Sequence, residues 1–222
     1  MKNILLIGAS SSLAKALYNK HMNKYNFIRL SRNSQDSDFL DFNVLDLDTY
    51  PNNEMRYDGL VYFPGSINLK PFKNLKVEDF YNDFEINVIG IINSLKFYMP
   101  YLNKGCSIIF VSSLAAKIGM PFHSSISAAK SAILGLSRSL AAEFAPNFRV
   151  NSISPSLFES KMSSRFLRNE KARERIENNN PLKTIGSPQD ISSLIDFLLS
   201  SDSKWLTGQD ISIDGGMSTL KI

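Results

Sequence analysis

Short apolar runs alternate along this chain with longer segments whose apolar residues recur every three or four positions. The runs read as strands: 2–8 (KNILLIG), 27–30, 39–44, 58–65, 107–111, 148–155, and a last one within 205–216. The periodic segments read as helices. Leu13, Ala16, Leu17 and Tyr18 form the face of a first one, running on to Lys24. Val77, Phe80, Phe84, Val88, Ile91, Leu95 and Leu102 predict one long helix over 76–102, with Pro100 near its end, where a break costs least. Ile126, Ala129, Ile133, Leu136, Leu140 and Phe144 predict another over 123–146, and Ile191, Leu194, Ile195, Leu198 and Leu199 a last over 189–201. Only a few polar residues separate the second strand from the third, so no helix is expected there.

Composition narrows the picture. A chain of 222 residues, 43% hydrophobic and 21% charged, suits one globular domain with a full core. The net charge of +4 comes from acids and bases mixed along the chain, with no basic stripe interleaved with aromatics, so nucleic acid is not an expected partner. One cysteine, Cys106, excludes an internal disulfide, and two histidines, His21 and His123, leave no expected metal site. No apolar run reaches membrane-spanning length and the N-terminus lacks the layout of a signal peptide. The expectation is a cytoplasmic protein with no membrane partner.

The chemistry concentrates in SSLAAKIGMPFHSSISAAK, Ser112 to Lys130. A Ser-Ser pair ends a strand and a lysine lies one or two turns into the next helix. Strand carboxyl ends are where open α/β sheets bind ligands. The first strand and its small-residue turn, Gly8 to Ala14, suit a phosphate-binding start at a helix N-terminus. The second strand ends on Ser31-Arg32 with no acid at its tip, and an arginine there accommodates the 2′-phosphate of NADP. The other reading of Arg32 is a solvated loop arginine.

The segment around Ser113 resembles the active site of the classical short-chain dehydrogenases/reductases, the 3-oxoacyl-carrier-protein reductases among them. That family places a Ser at a strand end, a Tyr thirteen residues on and a Lys four after it. Here those steps land on Ser113, Ile126 and Lys130. Other motifs follow in order. The family's TGxxxGxG reads Ile7, Gly8, Ser12 and Ala14 at its fixed positions; its Asn-Asn-Ala-Gly reads Tyr62-Phe63-Pro64-Gly65. Asn43-Val44-Leu45-Asp46 matches the adenine segment, Asn87-Val88-Ile89-Gly90 matches N-V-x-G, and Trp205 to Gly216 closely follows the last strand. The Pro-Gly turn after the sixth strand reads Pro155-Ser156.

The resemblance implies a single doubly wound, seven-stranded parallel Rossmann sheet in three α/β/α layers. It implies NADP as cofactor (NAD being possible) and a substrate lid at about 156–188. Gly8, Ser10, Ser12 and Leu13 would meet the phosphates, Arg32 the ribose end, and Asn43 and Val44 the adenine. Gly65 would line the pocket, Lys130 would bond the nicotinamide ribose, and Pro155, Phe158 and Ser160 would hold the nicotinamide. Ser113, Lys130 and Asn87 would be catalytic. With Ile126 where the Tyr belongs, the proton donor is either a water held by Ser113 and Lys130 or His123, seven residues before the Lys, where enoyl-carrier-protein reductases place their Tyr. The plain alternatives stay open: Ser113 as a strand-end cap, Lys130 as a surface lysine, His123 on an exposed helix start. The function implied is reduction or oxidation of a carbonyl or alcohol; its rival is a catalytically silent relative that binds a dinucleotide or a partner protein. Relatives pair through the two long helices, so a homodimer or homotetramer is expected. Lys161, Arg165, Arg168, Lys171, Arg173 and Arg175 in the lid suggest an anionic substrate, or else a solvated helix with paired charges.

Overall fold

The computed structural model describes residues 1–32, 39–51 and 55–221. Its strands are β1 (Lys2–Ile7), β2 (Tyr25–Ser31), β3 (Leu40–Asp41), β4 (Tyr57–Tyr62), β5 (Leu102–Val111), β6 (Arg149–Pro155) and β7 (Asp210–Ile213). They form one seven-stranded sheet in the order β3-β2-β1-β4-β5-β6-β7, every pairing parallel. The order reverses at β1, between β2 and β4, which is the switch point where such sheets bind ligands.

Alternation along the strands explains the layers. In β1, Leu5 and Ile7 face one side and Ile4 and Leu6 the other, all fully buried. The first side packs against α3 (Gly90–Tyr98), through Ile91 and Leu95, and α4 (Ser124–Phe144), through Ile133 and Ala141. The second side packs against α1 (Ser12–His21), through Leu13 and Leu17, and the C-terminal helix Pro188–Leu199, through Ile191, Ile195 and Leu198. The expected doubly wound, three-layer fold is therefore present.

Two expected elements differ. The helix read over 76–102 is broken. α2 (Val77–Phe84) passes into a π-helical turn, Glu85–Ile89, before α3, and a 3-10 turn at Met99–Tyr101 ends the run. Leu102 opens β5 instead of closing the helix. Tyr62 accounts for the π-turn's location: its hydroxyl donates to the Ile86 carbonyl at 2.6 Å. The third strand, read over 39–44, is reduced to Leu40–Asp41. The connection read as helix-free falls mainly on 33–38, outside the described residues. Beyond β3, packing comes from aromatic side chains. Tyr50 lies against Phe42, Phe97 and Tyr98, and its hydroxyl donates to the Val44 carbonyl at 2.9 Å.

Candidate active site

The first part of the site is a cleft of about 270 Å³ at the carboxyl ends of β1, β2 and β4. Gly8 turns the chain out of β1 in the left-handed region, at φ 78°. A side chain there would also strike the Pro64 ring, its Cβ lying 2.8 Å from Cδ. The Gly8 and Ala9 amides both donate to the Leu30 carbonyl at 2.9 Å, which fastens the turn to β2. Ser11 caps α1 by accepting from the Ala14 amide. The buried Ser31 hydroxyl donates to the exposed Ser10 hydroxyl at 2.6 Å. Arg32 is exposed at the rim. Asn43 and Val44 close the far wall. Thr49 accepts from the Asn43 amide and Tyr50 donates to the Val44 carbonyl, so that wall is braced from behind. Gly65 lines the cleft at its inner end.

Gly65 also joins the cleft to the second part of the site. A Cβ on it would lie 3.1 Å from Asn87 Oδ1 and 3.3 Å from Lys130 Nζ, so a side chain there would crowd both groups. Lys130 is 8% exposed, so the surface-lysine reading is wrong. Its Nζ donates to the Val111 carbonyl at 2.9 Å, and the Ser112 hydroxyl donates to its own carbonyl at 3.0 Å. Burial pushes the Lys130 amine down to about 8, against an opposing attraction from Asp83. Asn87 sits in the π-turn, fully buried. It donates to the Ser66 hydroxyl at 3.0 Å and the Asp83 carbonyl at 2.8 Å, while its Oδ1 has no partner among the described residues.

Ser113 follows the end of β5 and is half-buried. Its Oγ accepts from the Ala115 amide at 3.2 Å, the cap expected of the plainer reading; the hydroxyl hydrogen is not used by that bond. α4 is held in register with the turn after Ser113 by two bonds, Ser127 to the Ala115 carbonyl and Ser131 to the Ala116 carbonyl. Ile126, on α4 one turn before Lys130, is 4% exposed and packed. His123 precedes α4, half-exposed, with Nδ1 2.7 Å from the Pro121 carbonyl. That carbonyl only accepts, so Nδ1 is the donor of this bond.

Not every expected cofactor residue reaches the cleft. Leu13 is buried in the core under α1. The Ser12 hydroxyl accepts from the Lys161 amide, tying the turn to the lid. Pro155 is buried at the end of β6, the Ser160 hydroxyl is engaged with Ser163, and Phe158 lines a separate cavity of about 300 Å³ with Asn180 and Asp214. The segment expected as a lid, 156–188, carries two further helices, α5 (Ser164–Leu167) and α6 (Glu170–Asn179). Of its cations, Arg173 is paired with Glu159 and Glu177. Met162, which sequence reasoning passed over, reaches the cleft from the lid. Two polar residues bonded to or through Asn87, Ser66 and Asp83, were also passed over. Asp83 lies four residues before Asn87, the spacing that stacks side chains on one helix face, and that was the available signal.

Comparison with known proteins places the chain in a family and a fold. Residues 49–218 match the family model described as enoyl-(acyl carrier protein) reductase. A 3-oxoacyl-[acyl-carrier-protein] reductase of Thermotoga maritima is 34% identical over 165 residues, 73% of this chain and 66% of that protein. The chain spans between about half and two thirds of the length of the curated relatives it matches. Among solved structures, a short chain dehydrogenase family protein from Francisella tularensis superposes with a TM-score of 0.87 at 26% identity, covering 99% of this chain and all of the other. A 4-hydroxyisoleucine dehydrogenase complexed with NADH gives a TM-score of 0.86 at 25% identity, with full coverage of both chains.

Proposed function

Because the chain belongs to the short-chain dehydrogenase/reductase family, we propose that it is an NADP(H)-dependent oxidoreductase that transfers hydride to or from a carbonyl or alcohol substrate without a tyrosine as proton donor. The observation that carries the reading is the position of Gly65, which lines the nucleotide-sized cleft on one side and touches buried Lys130 and Asn87 on the other. A dinucleotide laid along the cleft brings its reactive end to the one buried cation of the pocket.

The residues fit a nicotinamide dinucleotide. The Gly8 turn leaves room for phosphate, the α1 N-terminus offers amides, and Arg32 at the rim suits a 2′-phosphate. When bound, the cofactor supplies or accepts the hydride. The Ser113 hydroxyl hydrogen is available to a carbonyl oxygen. The Lys130 ammonium would hold a ribose hydroxyl of the bound cofactor and would stabilise negative charge as it develops on the substrate oxygen, an effect strengthened by burial. With Ile126 packed where a phenol would stand, the proton comes from Lys130 itself or through a water it holds. His123, tied to Pro121, is the weaker candidate. The lid over 156–188 would close on the substrate, and exposed Arg165, Arg168, Lys171 and Arg175 favour an anionic one. Val77, Tyr81 and Ile89, exposed on α2 and the π-turn, support a homodimer or homotetramer built on these helices.

One observation favours a second reading. Ile126 is packed rather than facing open space, and Ser113 serves as a cap, as in a relative that keeps the cleft and has lost catalysis. Fluorescence titration with NADPH followed by a panel of carbonyl substrates separates the two. Binding with turnover supports the oxidoreductase; binding without turnover on any carbonyl replaces it with the silent relative.

A further inference from the structure

Bonded to Asn87 is an acid that no motif requires. Asp83, near the end of α2, has no exposed surface. One carboxylate oxygen takes a short hydrogen bond from the Ser66 hydroxyl. The other, Oδ2, has no hydrogen-bond partner among the described residues. The Asp83 carbonyl and the Ser66 hydroxyl both accept from Asn87, whose Oδ1 meets Gly65 opposite Lys130 Nζ. Ser66, Asp83 and Asn87 are thus linked by hydrogen bonds, and Asn87 Oδ1 and Lys130 Nζ share the space beside Gly65. The group holds two acceptors without partners, Asp83 Oδ2 and Asn87 Oδ1. It also holds an ammonium with three N–H donors, of which Val111 takes one.

A buried lysine without a counter-charge sheds its proton. The charges facing Lys130 can be surveyed element by element. β4 and its exit contribute Gly65 and Ser66, and the π-turn contributes Asn87. β5 contributes the Val111 carbonyl and Ser112. None of these is charged. Glu85 on the π-turn is exposed, and burial keeps the Tyr62 phenol beside that turn neutral. His123, on α4's own N-terminal side, is tied to Pro121. Asp83 is the carboxylate whose attraction reaches the amine.

We propose that Asp83 is a positioning residue: its buried carboxylate is the counter-charge that keeps Lys130 an ammonium at neutral pH, as stabilising a substrate oxyanion requires. This rests on the oxidoreductase reading for its purpose, but not for its test.

The test is a titration of Lys130 in the unliganded protein. Lysine is labelled with carbon-13 and the Lys130 Cε resonance is assigned by its loss in Lys130→Met. The unmodified protein is expected to show a midpoint of about 8. In Asp83→Asn, which keeps the shape and an acceptor for Ser66, the midpoint is expected to fall by about one unit or more. Ser66→Ala, which removes a hydrogen bond but no charge, should move it far less. An unchanged midpoint in Asp83→Asn overturns the proposal. If that variant does not fold, thermal unfolding of Lys130→Met and of Asp83→Asn/Lys130→Met decides instead. The single variant strands a buried carboxylate, so the double variant is expected to melt at the higher temperature; an equal or lower melting temperature overturns the pairing. Both experiments stand apart from turnover. A protein that reduces nothing defeats the oxidoreductase reading while the midpoint still reports on the pair. In a protein that does turn over, the alkaline limb of the kcat profile should move down with the midpoint.

Discussion

At the residue scale, Lys130 makes the sharpest statements. Its amine is pushed by burial from 10.5 in the unfolded chain to about 8 in the folded one. Between those values the unfolded chain binds more protons, so this residue contributes stability that rises as pH climbs from about 8 to about 10.5. The full span is worth about 3 kcal/mol. Chemical denaturation of the unmodified protein and of Lys130→Met across that window should show this rise in the first and not in the second. Arg32 governs cofactor choice in the proposed function. Arg32→Ala is expected to weaken NADPH by about 1.5–3 kcal/mol, the range of a charge-assisted contact, and to leave NADH nearly unchanged; equal affinities for both cofactors in the unmodified protein contradict the assignment. Ile126→Tyr tests the missing donor. If the pocket is otherwise competent, turnover should rise roughly 10²-fold or more, as expected of a general acid, while His123→Ala leaves it unchanged. A variant that folds, binds NADPH and still reduces nothing speaks for the silent relative.

At the scale of elements, the π-turn between α2 and α3 is the part most open to test. Gly90 follows it, and a methyl there would run into the Tyr62 hydroxyl and crowd Val44. The same hydroxyl holds the Ile86 carbonyl at 2.6 Å, so strand, turn and helix share one atom. Gly90→Ala should cost about 1–3 kcal/mol through overpacking, read as a drop in melting temperature. Tyr62→Phe in the same chain should recover part of it by clearing the hydroxyl. No recovery would mean that the clash lies with Val44. Because Asn87 belongs to this turn, distortion there should also reach the pocket, and Gly90→Ala should lower the rate in whatever reaction the protein catalyses.

At the scale of the molecule, the question is what the outer faces meet. Val77 and Tyr81 on α2 lie in water in the single chain, and so does Trp205 before β7. Light scattering at micromolar concentration should give the mass of two or four chains; a single-chain mass contradicts the assembly proposed here. The fold that carries these faces was largely legible beforehand. Short continuous apolar runs and period-three-to-four segments alternate in the chain because each strand must bury both faces and each helix one. Leu5 and Ile7 against Ile4 and Leu6 show that rule at work. The limits of reading lay at Leu102, whose place in the apolar rhythm fitted a helix although pairing with Tyr57 makes it strand, and at Leu13, a motif neighbour that the core claims.

The sequence by itself determined the alternation of the main strands and helices, the glycine turn at Gly8 and the spacing of Ser113 and Lys130, since each depends on neighbours close along the chain. Only the tertiary structure decided which residues share a pocket. Lys130 became a buried amine because Val111, Gly65 and Asn87 converge on it from three other elements. Asp83 became its neighbour because α2 packs against α4. Phe158 and Ser160 left the cleft because the lid engages them elsewhere. Burial and charge pairing depend on surfaces distant in sequence, and no local spacing records which of those surfaces will meet.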